Sequence, residues 1–142
     1  MKKLILVSHG EFAQGLKSAL EMFTGEQGKE VTAVGLKKGE SADQFGQHFA
    51  EIVDQVDESS EFIILADIVG GSPLTTACNV LAQKERLNNA IVLGGMNFPM
   101  ALNSLLFKDS LDSEEFVTRI LGEATTAVQQ FNFAVEDEDD DI

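Results

Sequence analysis

Only one cysteine, Cys78, occurs in the chain of 142 residues. A single cysteine excludes an internal disulfide and any metal site built from several cysteines, and it fits a cytoplasmic protein. Basic residues are also scarce, because 10 lysines and arginines stand against 24 acidic residues and give a formal charge of −14. Nucleic acids and anionic membrane surfaces require concentrated positive charge, so the sequence argues against both as partners.

Long hydrophobic runs are missing as well. No apolar run approaches the roughly 20 residues of a membrane helix. The short run at the start reaches Ser8 and His9 too soon to serve as a signal peptide. Apolar residues still make up 44% of the chain, enough for one buried core. We therefore predict one domain over residues 1–135, followed by a disordered acidic tail over 136–142.

Apolar runs alternate with segments of helical periodicity along the chain. The runs typical of strands are 3–8, 31–36, 62–66, 90–94 and a final short one at 131–135. The helical segments are about 11–24, a helix capped by Ser41, a helix from Ser72-Pro73 to about 83, 99–107 and about 113–129.

This alternation predicts an α/β fold with an open, mainly parallel sheet and helices on both faces. We expect the flavodoxin-like strand order 2-1-3-4, with the last strand at an edge. In such a sheet, ligands bind beyond the carboxyl ends of the strands where the order reverses, which here lies between the first and third strands.

One histidine and one carboxylate meet at that point of the predicted fold. His9 ends the first strand, and Asp67 ends the third. A carboxylate on one ring nitrogen fixes the imidazole tautomer and leaves the other nitrogen as an oriented nucleophile. A histidine alone at a strand end is usually structural, but the facing aspartate favours a functional pair.

The loop after Asp67 supplies a second element of the site. Gly70, Gly71 and Ser72 precede Pro73, and a serine before a proline predicts the start of a helix with Ser72 as its cap. The first N–H groups of a helix, together with a hydroxyl, form a ready anion site. We expect an anion held by His9 to lie against this helix start.

Two other reactive residues are interpreted as structural. His48 lies beside the apolar stripe of the second helix and is expected to be half-buried, and Cys78 is expected in the core. Two histidines without ligand spacing predict no metal site. The sequence also lacks a Walker motif, a G-x-G-x-x-G fingerprint and a G-x-S-x-G elbow, so no cofactor is expected.

Three motifs, ILVSHG, LADIVGGSP and GGMNFPM, resemble in order and spacing the IIA component of the mannose-type sugar phosphotransferase system. The likeness covers about residues 3–135. It implies that His9 receives a phosphoryl group from the phosphocarrier HPr and passes it to a histidine of a IIB component. It further implies that Asp67 orients His9, and that Gly70, Gly71 and Ser72 stabilise the phosphoryl oxygens.

The same resemblance implies a homodimer with an exchanged last strand, for which 131–135 is the candidate, and an indirect link to a membrane sugar permease. Because the chain ends in the acidic segment, the IIB component is expected to be a separate protein. Members of the family can carry an aromatic residue where this chain has Val69, and that difference is expected to alter partner contacts only.

Three alternatives remain at this point. The phosphotransfer subunit of a dihydroxyacetone kinase resembles this fold and also uses a histidine after the first strand, although the GGSP motif favours sugar transport. A response-receiver domain phosphorylated on Asp67 would need an acidic pair where this chain has Ser8 and His9. A hydrolase built on Ser72 is disfavoured by the missing elbow.

Overall fold

The computed structural model describes residues 1–133, which form a parallel sheet with helices on both faces. The strands are β1 (Lys2–His9), β2 (Thr32–Leu36), β3 (Glu61–Ala66) and β4 (Ile91–Gly94). The helices are α1 (Phe12–Thr24), α2 (Glu26–Lys29), α3 (Ala42–Asp54), α4 (Ser72–Gln83), α5 (Phe98–Phe107) and α6 (Ser113–Thr126).

The strand order is β2-β1-β3-β4 and every pairing is parallel, which confirms the predicted order. Val7 of β1 pairs with Ala66 of β3, and Ser8 pairs with Gly35 of β2. This register brings the ends of β1 and β3 side by side at one edge of the sheet. The chain turns in opposite directions from β1 and β3, so the switch point lies where it was predicted.

Alternate residues of the two central strands supply the two halves of the core. One cluster packs α1, α5 and α6 against the sheet and includes Leu4, Leu6, Ile63 and Leu65. The other packs α3 and α4 against the opposite face and includes Ile5, Val7, Ile64 and Ala66. Burial on both faces explains why β1 and β3 are continuous apolar runs rather than alternating ones.

Polar side chains cap the starts of two helices, and the one at Ser41 confirms the prediction. The Ser41 hydroxyl accepts a hydrogen bond from the Gln44 N–H, and the Gln44 side chain accepts one in return from the Ser41 N–H. The Asp112 carboxylate accepts from the Glu115 N–H at the start of α6. Each contact satisfies a backbone donor that the first helical turn would otherwise leave free.

Two local features were not predicted. After Gly25 the chain forms the short helix α2 before it enters β2. Asn97 caps α5, because its Oδ1 accepts from the Met100 N–H, and its amide also donates to the Ala124 carbonyl near the end of α6. One side chain therefore fixes the relative position of the last two helices.

The predicted final strand is not formed over residues 131–133 of the single chain. Phe131 and Phe133 are exposed there, and no strand of the described chain pairs with them. The remaining part of that prediction, 134–135, and the predicted acidic tail, 136–142, lie outside the described residues. Among residues 1–133, no helix has both the length and the apolar character needed to cross a bilayer.

Candidate functional site

His9 and Asp67 meet at the carboxyl end of the two central strands. His9 is the last residue of β1, and Asp67 directly follows β3. The Asp67 N–H donates to the Val7 carbonyl at 3.3 Å, so the ladder between the strands continues up to the site. The structure therefore brings together the pair that the sequence predicts, and the parallel register is the reason.

The Asp67 carboxylate is held by three hydrogen bonds. Its Oδ2 accepts from the backbone N–H of His9 and contacts the Nδ1 of the same residue, each at 2.9 Å. Its Oδ1 accepts from the Ile68 N–H at 3.0 Å. With both oxygens engaged, the carboxylate has one orientation, and it fixes the backbone and the ring of His9 together.

The charge state of Asp67 follows from these contacts. Partial burial alone raises its pKa, but the hydrogen bonds from the His9 backbone and ring, the charge of His9 and the Ile68 N–H outweigh burial. The pKa of Asp67 therefore lies below its ordinary value, and the carboxylate is ionised at neutral pH.

An ionised Asp67 determines which nitrogen of His9 can react. Because the carboxylate only accepts hydrogen bonds, the neutral imidazole carries its proton on Nδ1. The lone pair is then on Nε2. The His9 side chain is 48% exposed, whereas Asp67 is 17% exposed. The imidazole can therefore act as an oriented nucleophile that is open to solvent, while the carboxylate that orients it is mostly covered.

The loop from Asp67 to α4 brings a helix start against the histidine ring. Gly70 has a φ of +86°, a conformation that favours glycine. A Cβ added at Gly71 would lie 3.0 Å from Cε1 of His9, so the absence of a side chain lets the ring approach the backbone. The first N–H groups of α4 have no acceptors within the helix and can receive an anion there.

Ser72 has a different local role from the predicted one. The cap position of α4 is Gly71, and Ser72 is the first helical residue, with no side-chain bond that caps the helix. The prediction placed the cap one residue too late, because it took Pro73 as the first helical residue, whereas Pro73 is the second. The exposed Ser72 hydroxyl is therefore not committed to capping.

A residue that the sequence analysis missed is Ser8. It is completely buried, and its hydroxyl accepts from the Ala13 N–H at 2.8 Å. Glu11, in the cap position of α1, makes no such bond. Ser8 thus caps the helix from the preceding strand and fixes the turn that holds His9. A polar residue at the end of an apolar strand, just before a helix, is the signal that could have identified it.

The other two reactive residues lie away from this site. His48 is exposed on α3, so the expectation of a half-buried side chain is wrong: it lies on the solvent side of the apolar stripe. Cys78 in α4 is half-buried rather than fully in the core, and burial raises the pKa of its thiol. A raised pKa disfavours the thiolate that a nucleophilic cysteine needs.

Exposed apolar side chains follow His9 and Asp67 closely in the chain. Phe12 at the start of α1 and Ile68 after Asp67 are each about half exposed, and Val69 is 77% exposed. The described part of the chain contains no group of three or more histidine, cysteine, aspartate or glutamate residues that could hold a metal ion. The His9 ring is thus exposed, and the segments that follow β1 and β3 carry further exposed apolar side chains.

Comparison with known proteins points to one family. The family described as "PTS system fructose IIA component" matches residues 3–121. The chain is 28% identical over 120 residues to the "PTS system fructose-specific EIIA component" of Bacillus subtilis, a match that covers 84% of this chain and 80% of that protein.

Solved structures agree in fold. The mannose/sorbose specific IIA subunit from Enterococcus faecalis superposes with a TM-score of 0.81 at 23% identity, over 95% of this chain and 98% of that one. A PTS IIA protein associated with the fucose utilization operon of Streptococcus pneumoniae gives 0.75 at 30% identity, over 91% and 92% of the two chains.

The lowered pKa of Asp67 predicts how stability depends on pH. The ionised carboxylate stabilises the folded state above the ordinary aspartate pKa of about 3.9, and this stabilisation is lost as the pH falls through the lower pKa of the folded state. In urea unfolding, Asp67→Asn should be less stable than the wild type at pH 7. The difference between their free energies of unfolding should become smaller towards pH 3.

Glu51→Gln, which removes an exposed carboxylate from α3, is the control and should show a smaller pH-dependent gap. If the free energy of unfolding of Asp67→Asn differs from that of the wild type by the same or a larger amount at pH 3 than at pH 7, the carboxylate is not stabilising.

Proposed function

The chain belongs to the mannose-type IIA family of the sugar phosphotransferase system, and from this premise we propose that His9 is the residue that carries the phosphoryl group. Members of the family are phosphotransferase components that act in sugar uptake with HPr and a IIB component. In the proposed cycle, Nε2 of His9 accepts the group from phosphorylated HPr and then passes it to a histidine of IIB.

The observation that carries this proposal is the double contact between His9 and Asp67. The lone pair on Nε2 attacks phosphorus, a new P–N bond forms, and the P–N bond to the donor histidine breaks and returns its electron pair to the donor ring. The proton on Nδ1 stays in place throughout. The Asp67 carboxylate stabilises the positive charge that the ring gains during the attack.

The negative charge of the phosphoryl oxygens needs hydrogen-bond donors that still allow His9 to pass the group on. We assign this role to Gly70, Gly71 and Ser72 at the start of α4. The close approach of Gly71 to Cε1 places the helix start beside the ring, and the helix dipole favours negative charge there. Backbone N–H groups and a hydroxyl can take the charge without a metal ion or cofactor.

The family match favours sugar transport over the dihydroxyacetone kinase alternative. We place the protein in the cytoplasm, where it would work with a IIB component that serves a membrane sugar permease. The large excess of acidic residues disfavours binding to nucleic acid.

We also propose a homodimer formed by exchange of the segment 131–135. Phe131 and Phe133 are 81% and 80% exposed in the single chain, and within residues 1–133 no strand pairs with the outer edge of β4. Exposed phenylalanines and an open strand edge promote aggregation, so proteins usually bury or pair them. Pairing this segment with a second copy would cover both.

The first prediction concerns the phosphorylated residue. With phosphoenolpyruvate, enzyme I and HPr, the wild type and His48→Ala should take up label, and His9→Ala should take up none. His48 is a matched control because it is the second histidine and is also exposed. The label should be labile in acid and stable in alkali, as expected for a phosphoramidate. Label retained by His9→Ala would refute the assignment.

The second prediction concerns Asp67. Asp67→Asn should fold but accept the phosphoryl group about 10² to 10⁴ times more slowly. The neutral amide lacks the negative charge with which the carboxylate keeps the proton on Nδ1 and stabilises the ring. Rapid-quench transfer from phosphorylated HPr measures this rate. Glu51→Gln should transfer at the wild-type rate, and an equal rate in Asp67→Asn would remove this residue from the mechanism.

The third prediction concerns assembly. Light scattering should give the mass of a dimer for the wild type and of a monomer for the double variant Phe131→Ser, Phe133→Ser, because the exchanged segment loses its apolar contacts. Met22→Ser removes an equally exposed apolar side chain from α1 and should leave the dimer intact. A double variant that remains dimeric would exclude this segment as the interface.

A further inference from the structure

The turn after His9 rests on the end of β2. Gly10 has a φ of +57°, and its N–H donates to the Leu36 carbonyl at 2.8 Å. The Gly10 carbonyl oxygen in turn lies directly over Gly35. A Cβ built on Gly35 would collide with this oxygen, at a separation far below any contact distance found in proteins.

We infer that Gly35 is a positioning residue, which holds His9 in register with Asp67 by letting the Gly10 peptide lie flat on β2. The inference rests on the proposed role of His9 as the phosphoryl acceptor. Gly35 touches neither the ring nor the carboxylate, so it acts only through the turn that follows the histidine.

A methyl group at position 35 would also crowd a side chain. The two polar atoms of the Gln14 amide would lie 3.1 and 3.2 Å from the Cβ, although this exposed side chain can move aside. Gly35 is also buried in β2. The Gly10 carbonyl is the atom in the severest collision, and it would have to move by on the order of an ångström to reach van der Waals contact.

Such a movement would be transmitted to the reactive pair. Gly10 follows His9 directly, and both contacts of His9 with Asp67 are already at the ordinary hydrogen-bond length of 2.9 Å. Displacing the turn lengthens at least one of them. The ring then loses the acceptor that keeps its proton on Nδ1, and Nε2 is no longer held as the only nucleophile.

Gly35 differs in this respect from the glycines of the site itself. A Cβ on Gly71 would contact the His9 ring directly, and Gly70 and Gly71 lie on the surface that a partner protein must meet. Gly35 is covered by the turn, so its substitution leaves the partner-facing surface chemically unchanged. An effect on transfer must therefore arise from the orientation of His9.

The test compares the imidazole tautomer and the transfer rate in Gly35→Ala. In the free wild-type protein, the ¹⁵N shifts of His9 should show a proton fixed on Nδ1, with His48 as an internal reference. In Gly35→Ala these shifts should move towards an exchanging mixture of tautomers. Transfer from phosphorylated HPr should slow by up to about 10²-fold, the usual cost of an ångström of misplacement.

Gly46→Ala is the matched control. Its Cβ would press on Thr76 at 3.0 Å, between α3 and α4 and away from the reactive pair. This variant should keep the wild-type tautomer and rate. If Gly35→Ala also keeps both, Gly35 has no positioning role and the inference is wrong.

A second pair of variants decides the matter if Gly35→Ala does not fold. Gly10→Val strains the positive φ of the same turn, whereas asparagine in Gly10→Asn tolerates that conformation. The tautomer should be lost in the first and retained in the second. Equal tautomers in both would overturn the inference that the turn sets the ring.

The outcomes for this inference and for the proposed function are separate. The tautomer is measured without any partner, so it judges the role of Gly35 even if the wild type accepts no phosphoryl group. Failure of the wild type to accept the group would count against the proposed function alone.

Discussion

Both donors that reach Asp67 Oδ2 come from the same residue, and the site depends on this arrangement. Because the backbone N–H and the ring Nδ1 of His9 share one carboxylate oxygen, main chain and side chain are fixed by a single anion. A histidine held only through its ring could rotate away with its loop. Here the ring and the backbone of His9 share one acceptor, so the orientation of the imidazole is tied to the end of the sheet.

That orientation depends on the parallel sheet. β1 and β3 are adjacent although one strand and three helices separate them in sequence, and their neighbours bury both faces of each. The ends of the central strands are therefore anchored by the core. The outer strands contact the loops at the same edge of the sheet. β2 lies under the Gly10 turn. In β4, a Cβ added at Gly94 would meet the side chain and backbone of Val69.

The strand order and the pairing of His9 with Asp67 could be predicted from sequence, because apolar runs identify buried strands and parallel topology brings their ends together. The cap of α4 could not be located to one residue, since Gly71 and Ser72 both suit a helix start before Pro73. Ser8 and Gly35 were also missed. Ser8 could have been identified as a polar residue that ends an apolar strand just before a helix, and its hydroxyl contacts the nearby Ala13 N–H. Gly35 depends on a contact with Gly10, which is distant in sequence, and no local pattern encodes it. Residues 131–133 pair with no strand among the described residues, so local propensity alone could not decide whether a final strand forms.

The openness of the site is consistent with transfer between proteins rather than catalysis on a small substrate. Enzymes for small molecules enclose the reacting atoms in a pocket, whereas a residue that must meet another protein's histidine has to be reachable from outside. In the proposed transfer, a partner that docks on His9 would also approach Phe12, Ile68 and Val69, the exposed apolar residues that follow β1 and β3 in the chain. Covering these side chains would exclude water from the bond being exchanged. On this proposal the chain supplies an oriented imidazole, and the partner completes the site.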